Sequence, residues 1–463
     1  MVGIDAELAG QVHDGEQQIA QFGFDGFRFL VSRFAFELRG LFLHLRERPA
    51  RVGPVEPHAG RAPLQPIGLR QRTPKRFIVL HLASGPRIIP APVIVSISGP
   101  KSRAWVEVDL AAVVDNARTV ARRAGTRLLP MVKANGYGVG AAAVCKALEA
   151  VDPWGYGVAT VDEGADLRAA GITRPVVVFM PIGPALFEEF ERFRLTPVLG
   201  DAGAIAGWTA REGGARPFHL EIDTGMGRSG VRWDEIACVR DALDTPAFEG
   251  CYTQFHSADR DDGSIDVQTE RFRQAVAQLK RRPALLHVAN SAGALRDRRY
   301  AFDLVRPGVF LYGGSPGAGL PEPRPVVSVR ARVVSVRHVR AGESVSYGAL
   351  WTAPRQTTVA TLGIGYADGL RRSLGLSGRG AVLLRGRRCP IIGAVTMDLC
   401  MVEVEELRVQ VGDVATLIGA AEGGERGEGG GGAITLEEFA GWAGELQRAV
   451  LTSLGPRLPR IYD

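Results

Sequence analysis

The sequence has few cysteines, few lysines and no long apolar run, and each shortage excludes a class of protein. No stretch of its 463 residues offers the roughly 18 uninterrupted apolar residues of a membrane-spanning helix. The five cysteines are scattered and form no CxxC pair, which favours reduced thiols over a disulfide framework or a metal site. The first twenty residues contain four acidic and no basic side chains, unlike a secretory signal, so we expect a cytoplasmic protein.

The formal charge of +6 does not indicate a nucleic-acid partner, because the excess is diffuse. Residues 1–100 hold twelve Arg or Lys against eight Asp or Glu, which leaves only +2 for the rest of the chain. The sequence has no basic helix and no basic patch with interleaved aromatic residues. Only five of the 56 basic residues are lysines, so Lys133, which follows an apolar run, is a candidate functional residue.

The first hundred residues differ in composition from the rest of the chain. They contain ten prolines and an arginine-punctuated run without clear periodicity, apart from one predicted helix at 22–45. We therefore expect residues 1–100 to be a leader outside the domains, either disordered or translated from a misassigned start. An extra docking or regulatory segment is the alternative.

Residues 101–325 alternate short apolar runs with helical patterns, for example helices at 111–123 and 265–280. Eight strands that alternate with helices within about 250 residues predict a (β/α)8, or TIM, barrel of the α/β class. The strands are predicted at 128–132, 156–159, 176–180, 196–199, 218–222, 250–255, 285–289 and 302–305.

Residues 326–463 have a mostly β pattern, which predicts a second, C-terminal domain. The glycine-rich run 423–432 predicts a flexible excursion, and the pattern at 436–454 predicts a short helical return. The strands are predicted at 326–339, 357–364, 381–384, 401–404 and 414–418.

Polar residues follow the predicted barrel strands at the carboxyl ends, where barrel enzymes place their active sites. A lysine, a histidine, two arginines, and Gly and Ser groups that bind phosphate suit a phosphorylated cofactor held by a Schiff base. This combination indicates pyridoxal-phosphate chemistry. The residues are Lys133, Arg228, His256, Asn290, Ser291, Arg306 and Gly308.

From Arg103 to Tyr462 the chain resembles the alanine racemases, which have a barrel followed by a β domain. The resemblance implies pyridoxal 5'-phosphate as cofactor, interconversion of L- and D-alanine for peptidoglycan synthesis, and no metal. Each supporting motif is weak alone, whereas their order and spacing are highly specific. The motifs are RAWVEVDLAAVVDN, MVKANGYGVG, DTGMGRSG, HVANSAG, RPGVFLYG, VSYGALW, GYADGLRR, GAVTMDLCMVEV and RLPRIY.

The resemblance assigns two acid/base groups, because inversion removes a proton from one face of Cα and returns it to the other. Lys133 would hold the cofactor and act on the D-enantiomer, and Tyr347 would act on the L-enantiomer. In the family this tyrosine hydrogen-bonds a histidine, matched here by His256, which contacts the arginine matched by Arg306. Arg306 would face the pyridine nitrogen of the cofactor and keep it unprotonated.

The resemblance also implies the remaining contacts. Arg228 and the backbone amide of Met397 would hold the substrate carboxylate, and Tyr366 would line the entrance. A homodimer with shared sites is implied, since the partner's β domain would bring Tyr347, Tyr366, Met397 and Asp398. The implied cofactor-binding residues are Lys133, Tyr137, His256, Asn290, Ser291, Arg306, Gly308, Val309 and Tyr366, with the phosphate held by Tyr137, Ser291, Gly308 and Val309.

The chain departs from the family pattern at several positions. Glu221 stands where relatives have a lysine that is commonly carbamylated, and we hypothesise that its carboxylate positions Arg228. Pro456 replaces a tyrosine that often contacts phosphate, and Arg448 with Ala449 replaces a frequent Tyr-Glu pair.

Two other activities fit parts of the pattern. A racemase of broader amino-acid or serine specificity could use the same scaffold, since the sequence does not define the volume of the substrate pocket. A barrel-fold pyridoxal-phosphate decarboxylase would lack Tyr347 and the arginine of RPGVFLYG, both of which are present. A non-enzymatic cofactor carrier would be a single barrel without the β domain.

Overall fold

A computed structural model describes residues 101–181, 183–211, 216–421 and 432–463. The predicted leader 1–100 with its helix at 22–45 lies outside the described residues, as does the predicted excursion up to residue 431. None of the helices within the described ranges is long and apolar enough to cross a membrane.

Eight parallel strands form a closed barrel, as predicted, and each predicted run overlaps one strand. A six-stranded parallel path, β3-β4-β5-β6-β8-β9, joins the pair β10-β2 through bridges between Met131 and Gly157 and between Asn290 and Arg306. The first strands of the described residues are β1 (Ala104–Val108), β2 (Arg127–Leu128), β3 (Tyr156–Val158), β4 (Val176–Val178), β5 (Thr196–Leu199), β6 (Phe218–Asp223), β7 (Val231–Arg232), β8 (Phe248–Tyr252), β9 (Leu285–His287) and β10 (Leu304–Val305).

The barrel strands are apolar because both of their faces are buried. All three residues of β4 are buried valines, as expected for a parallel strand covered on one side by helices and on the other by the barrel interior. A small interior cluster fills the barrel and consists of Leu129, Val177, Val198, Tyr252, Leu285 and Leu304, with Trp154 and Phe179 packed against it.

Helices surround the barrel and two more follow in the β domain. The first helix in the described part of the chain begins where the Asp109 side chain accepts a hydrogen bond from the backbone N–H of Ala112, an N-cap that satisfies a free helix donor. The helices are α1 (Leu110–Ala124), α2 (Ala141–Leu148), α3 (Val161–Ala169), α4 (Phe187–Phe193), α5 (Ala202–Thr209), α6 (Ser264–Ala277), α7 (Ser291–Arg296), α8 (Leu436–Ala443) and α9 (Gln447–Ser453).

The C-terminal domain is a β structure, as predicted, and the helical return predicted at 436–454 consists of the two helices α8 and α9. Its main sheet has the order β16-β15-β18-β11-β1-β20, with β14 paired to β11 and β17 paired to β14. The strands are β11 (Val327–Val339), β12 (Ser344–Val345), β13 (Trp351–Thr352), β14 (Thr357–Leu362), β15 (Ala381–Leu384), β16 (Arg387–Pro390), β17 (Cys400–Glu403), β18 (Val414–Ala420), β19 (Ala433–Ile434) and β20 (Arg460–Tyr462).

The first strand of the described chain lies in the C-terminal sheet. β1 runs antiparallel to β11 and parallel to β20, with Val106 opposite Val329 on one side and Arg460 on the other. The segment 104–108, which the sequence places in the barrel region, therefore belongs structurally to the β domain. The two parts share one continuous hydrophobic core that includes Val106, Val120, Leu286, Val329 and Leu417.

Candidate active site

The predicted polar residues of the barrel meet at the carboxyl ends of its strands. Lys133 lies beyond β2, Arg228 beyond β6, Asn290 and Ser291 beyond β9, and Arg306 directly after β10. Arg228 and Arg306 both act electrostatically on Lys133, which places the three cationic groups in one site. The face is the one on which barrel enzymes carry their catalytic groups.

Lys133 has an amine whose charge is disfavoured. Burial lowers its pKa, and the neighbouring cations Arg228, Arg306 and Arg448 lower it further, while Glu163 acts in the opposite direction. Desolvation and like charge both favour the neutral amine, which is the nucleophilic form. Lys133 is therefore suited to covalent attachment of a carbonyl compound and to proton transfer.

The residues after Lys133 form a left-handed turn. Ala134, Asn135 and Tyr137 all have φ between 52° and 54°, a conformation that is uncommon outside glycine. The turn is held by Glu163, whose Oε1 accepts a 2.6 Å hydrogen bond from the backbone N–H of Ala134. Such strain persists only where the surroundings determine it, and it is concentrated at functional sites.

The predicted phosphate-binding residues lie side by side. Tyr137 stacks on Tyr312 with ring centroids 4.6 Å apart, and a Cβ added to Gly308 would lie 2.3 Å from the Tyr137 hydroxyl oxygen. Ser291 Oγ accepts hydrogen bonds from the backbone N–H of Gly308 at 2.9 Å and of Phe310 at 3.4 Å. A glycine is thus required at 308, where Tyr137 and the turn Val309–Tyr312 come together.

Asn290 has a local structural role. Its Oδ1 accepts a 3.0 Å hydrogen bond from the backbone N–H of Gly293, so it is the N-cap of α7. The cap fixes the start of the helix on which Ser291 is the first residue, so Asn290 acts on the predicted phosphate-binding residues only through that helix.

Arg306 is buried at the bottom of the site. Its guanidinium donates to His287 Nδ1 at 3.0 Å, to the Thr253 carbonyl at 2.8 Å and to Gln254 Oε1 at 3.3 Å. Burial lowers the pKa of Arg306 to about 10, although Tyr252 and Glu221 act in the opposite direction. Arg306 is still protonated at neutral pH and presents a fixed, oriented donor.

A hydrogen-bonded relay connects Arg306 to the surface. His287 Nε2 lies 2.9 Å from His219 Nδ1, and His219 Nε2 lies 3.2 Å from Glu249 Oε2. Because Arg306 only donates, His287 must accept at Nδ1 and donate at Nε2, which in turn makes His219 donate to Glu249. Burial lowers the pKa of His287 well below its usual range, which agrees with a neutral ring. Sequence reasoning left both histidines without a functional role.

The predicted contact between His256 and Arg306 is wrong. His256 is exposed and its Nδ1 lies 2.7 Å from Ser257 Oγ, whereas Gln254 contacts Arg306. β8 ends at Tyr252, so Gln254 still lies at the barrel mouth and His256 is already on the outer loop. Counting positions from the end of the strand, instead of selecting the histidine, would have identified Gln254.

Arg228 is oriented by a buried carboxylate. Glu221 is buried on β6, its Oε1 lies 3.3 Å from the Arg228 guanidinium, and its Oε2 accepts a 2.6 Å hydrogen bond from the Ser229 hydroxyl. Arg228 itself is 53% exposed in its side chain, so the end of the guanidinium remains accessible to an anion. The geometry agrees with the hypothesis that Glu221 positions Arg228.

Three further predicted residues lie on adjoining loops of the β domain. The side chains of Tyr347, Tyr366 and Met397 are exposed by 70%, 44% and 52%. The backbone N–H of Tyr366 donates to the Thr396 carbonyl at 2.9 Å, and the Ser346 hydroxyl donates to the Ala394 carbonyl at 2.6 Å. The loops that carry the three residues are therefore neighbours and project them from one surface.

Arg448 is an additional cation at this site. It lies in the first turn of α9, and its charge acts on both Lys133 and Tyr137. The preceding residue, Gln447, accepts a 2.7 Å hydrogen bond from the backbone N–H of Ser315 and thereby fixes the start of α9. The sequence marked Arg448 only as a departure from the family, and its proximity to Lys133 emerges from the packing of α9.

The cysteines and acidic residues of the described ranges form no metal site. Four of the five cysteines are buried and free, as expected for core residues, whereas Cys238 is exposed.

The chain matches two family models in sequence. These are the N-terminal domain of alanine racemase over residues 108–316 and the C-terminal domain over residues 326–462. The alanine racemase of Symbiobacterium thermophilum is 40% identical, with 77% of this chain and 96% of the relative covered. That of Sorangium cellulosum is 39% identical, with 77% and 98% covered.

Solved structures give the same result. A crystal structure of alanine racemase from E. faecalis superposes with a TM-score of 0.71 at 31% identity and covers 78% of this chain and 98% of its own. The alanine racemase from Bartonella henselae, solved with covalently bound pyridoxal phosphate, superposes with a TM-score of 0.71 at 29% identity. It covers 78% of this chain and 100% of its own. In sequence and in fold, the chain belongs to the alanine racemase family.

Proposed function

We propose that this protein interconverts L- and D-alanine with pyridoxal 5'-phosphate as its cofactor and two bases on opposite faces of the substrate. The observation that carries the proposal is Lys133, a partly buried amine with a lowered pKa, together with Arg306 and Arg228 at the mouth of the barrel. Family membership and the covalently bound cofactor in the Bartonella henselae relative support the same function.

The residues present fit the cofactor in their chemistry. Lys133 provides an amine for the aldehyde, and Arg306 provides a buried donor for the pyridine nitrogen. The cradle between Gly308 and Tyr137, which a Cβ would fill, suits a phosphate beside Ser291 and Val309. Arg448 adds a positive charge at this end, as expected for a phosphate-binding site.

When bound, pyridoxal phosphate supplies an electron sink that makes the substrate Cα–H acidic. Arg306 does not readily give up its proton, so it keeps the pyridine nitrogen as an acceptor and limits the strength of that sink. Arg228, oriented by Glu221, binds the substrate carboxylate through its accessible guanidinium. Together they fix Cα in a position where protons are exchanged at its two faces.

Lys133 moves the proton at one face of Cα, that of the D-enantiomer, and Tyr347 moves it at the other. Their roles are complementary, because inversion requires that one group removes the proton and the other returns it. The lowered pKa of Lys133 favours the neutral amine, which is the form that can accept a proton.

The β domain of a second copy supplies Tyr347 in this proposal, so the active enzyme is a homodimer with two shared sites. The support is that Tyr347, Tyr366 and Met397 are strongly exposed on adjoining loops. The partner's Tyr366 lines the entrance, and the backbone amide of the partner's Met397 helps to bind the substrate carboxylate. The D-alanine formed in the cytoplasm is used for peptidoglycan synthesis.

The test is incubation of the purified protein with L-alanine in deuterated water, followed by chiral analysis and mass spectrometry. We expect D-alanine that carries deuterium at Cα, and no exchange with Lys133→Ala. Carbon dioxide release would contradict the proposal in favour of a decarboxylase. Racemisation of serine or other amino acids but not alanine would assign a different specificity on the same scaffold.

A further inference from the structure

Asp368 is a fully buried carboxylate in the β domain, behind the exposed loops that carry Tyr366 and Met397. Its two oxygens accept hydrogen bonds from both terminal nitrogens of Arg103, at 2.9 and 2.6 Å. Arg457 Nε donates at 2.9 Å, and the backbone N–H of Gly365 donates at 2.9 Å. A single side chain thus contacts the start of β1, its own loop and the C-terminal segment.

The network continues from Asp368 to a second loop. Arg457 also donates to Asp398 Oδ1, at 2.8 Å, and Asp398 directly follows Met397. The backbone adds to this link, since Ala367 N–H donates to the Met397 carbonyl at 3.0 Å. The backbone carbonyl of Asp368 accepts from Gly455 N–H at 2.9 Å. The loops 365–368 and 396–399 are therefore held as one unit.

Stability alone is a weak reason for this arrangement. A buried ion pair loses about as much by desolvation as it gains by attraction, and apolar replacements are often equally stable. Hydrogen-bonded buried ions do, however, fix geometry, since removal of one partner leaves the others uncompensated. The Asp368 network fixes the positions of Tyr366 and Met397, which are 44% and 52% exposed.

We propose that Asp368 is a positioning residue that fixes Tyr366, Met397 and Asp398 for the active site of a second copy of the chain. It acts through Arg457 and the loop backbone and touches neither substrate nor cofactor. The inference rests on the proposed function, because it requires the shared site of the homodimer.

The first measurement is the steady-state kinetics of Asp368→Asn, which keeps the shape of the side chain and removes its charge. We expect kcat/KM for alanine to fall between about tenfold and a hundredfold, the range for a displacement of about 1 Å at a reacting site. KM should change more than kcat, since the loops line the entrance and hold the substrate carboxylate. Asp162→Asn, on the exposed surface of α3, is the matched control and should leave both constants unchanged.

The decisive test is complementation in mixed dimers, obtained by coexpression with two affinity tags and sequential purification. Consider a dimer of one Lys133→Ala chain and one Asp368→Asn chain. In one of its two sites, the barrel of the Asp368→Asn chain supplies Lys133, and the β domain of the Lys133→Ala chain supplies the loops held by an unchanged Asp368. We expect its activity to equal that of a dimer of Lys133→Ala with wild type. If Asp368 instead supports only its own barrel, the mixed dimer will show no more than half the activity of the Asp368→Asn homodimer, and the proposal is overturned.

A parallel mixed dimer of Lys133→Ala with Tyr347→Phe separates this inference from the proposed function. Recovery with Tyr347→Phe but not with Asp368→Asn overturns the role of Asp368 alone. If neither mixed dimer recovers activity, the proposal of a shared active site is overturned as well. If Asp368→Asn does not fold, Arg457→Gln, which leaves the pair between Asp368 and Arg103 intact, is measured in the same way.

Discussion

At the scale of the residue, the site is built from cations whose charges are balanced to different degrees. Arg306 is buried and satisfied by backbone carbonyls, a histidine and an amide, whereas Arg228 has one buried carboxylate and a free outer surface. Lys133 has a lowered pKa because burial and these cations disfavour its charge. These surroundings therefore hold Arg306 fixed, leave Arg228 accessible to an anion and make Lys133 reactive.

The first prediction concerns Glu221, whose Oε1 lies 3.3 Å from Arg228. In Glu221→Gln the guanidinium loses its buried counter-charge and is no longer held toward the substrate carboxylate. We expect KM for alanine to rise about tenfold, equivalent to about 1.4 kcal/mol, with a smaller change in kcat. Steady-state kinetics in both directions provide the measurement.

Glu437→Gln, on the exposed first turn of α8, is the control for the loss of one negative charge. An unchanged KM in Glu221→Gln would show that Arg228 is positioned without this carboxylate. A fall in kcat alone would assign Glu221 to the chemical step instead of to binding.

Most candidate site residues could be predicted from the sequence because they lie in the loops that follow apolar strands. Lys133, Arg228, Ser291 and Arg306 follow this rule, and the structure brings them together. Gln254 could not be identified from side-chain chemistry, since its role depends on where β8 ends.

The relay through His287 and His219 was also beyond sequence reasoning. The two histidines are 68 positions apart and meet only because β6, β8 and β9 are neighbours in the barrel.

Among the secondary-structure elements, the left-handed turn after Lys133 packs against α9. Gly138, with φ of 85°, follows this turn, and a Cβ added there would lie 2.3 Å from the Leu451 carbonyl oxygen. The close approach brings α9, and with it Arg448, to the edge of the site. The barrel strands were predictable because burial on both faces requires apolar residues, whereas this contact joins segments that are distant in the sequence.

The second prediction is that Gly138→Ala destabilises the protein and disturbs the site. Both the left-handed backbone and the clash with Leu451 oppose a side chain, so we expect the free energy of unfolding to fall by about 3 kcal/mol. Gly171→Ala is the matched control, since Gly171 has φ of 86° with no atom within 4 Å of the added Cβ.

The control should lose only about 1 kcal/mol, the backbone contribution alone. Chemical denaturation of both variants gives the two free energies. Equal losses would mean that α9 moves away without resistance, and the contact would then not position Arg448.

At the scale of the whole molecule, the β domain has an apolar surface around its proposed contribution to the partner's site. Tyr347, Leu350, Tyr366, Met397 and Leu399 are all exposed large side chains on adjoining loops. An exposed apolar patch of this kind marks an interface between proteins. The surface is therefore the one that we expect to be covered in the homodimer.

The third prediction is that specific activity depends on protein concentration. Below the dissociation constant of the dimer, each barrel loses Tyr347 of the partner subunit, so the rate per chain should fall toward zero. Sedimentation velocity across the same dilution series identifies the species present. Full activity in a fraction that sediments as a monomer would contradict the shared site.

The position of β1 has a consequence for how the chain can be divided and in which order it can fold. β1 is synthesised before the barrel, yet both strands that it pairs with, β11 and β20, come after it. On the ribosome β1 must remain unpaired until more than two hundred further residues have been translated, and its second neighbour, β20, is translated later still. Cleavage between residues 325 and 326 would therefore not release two self-sufficient domains, because it would separate one strand from both of its partners.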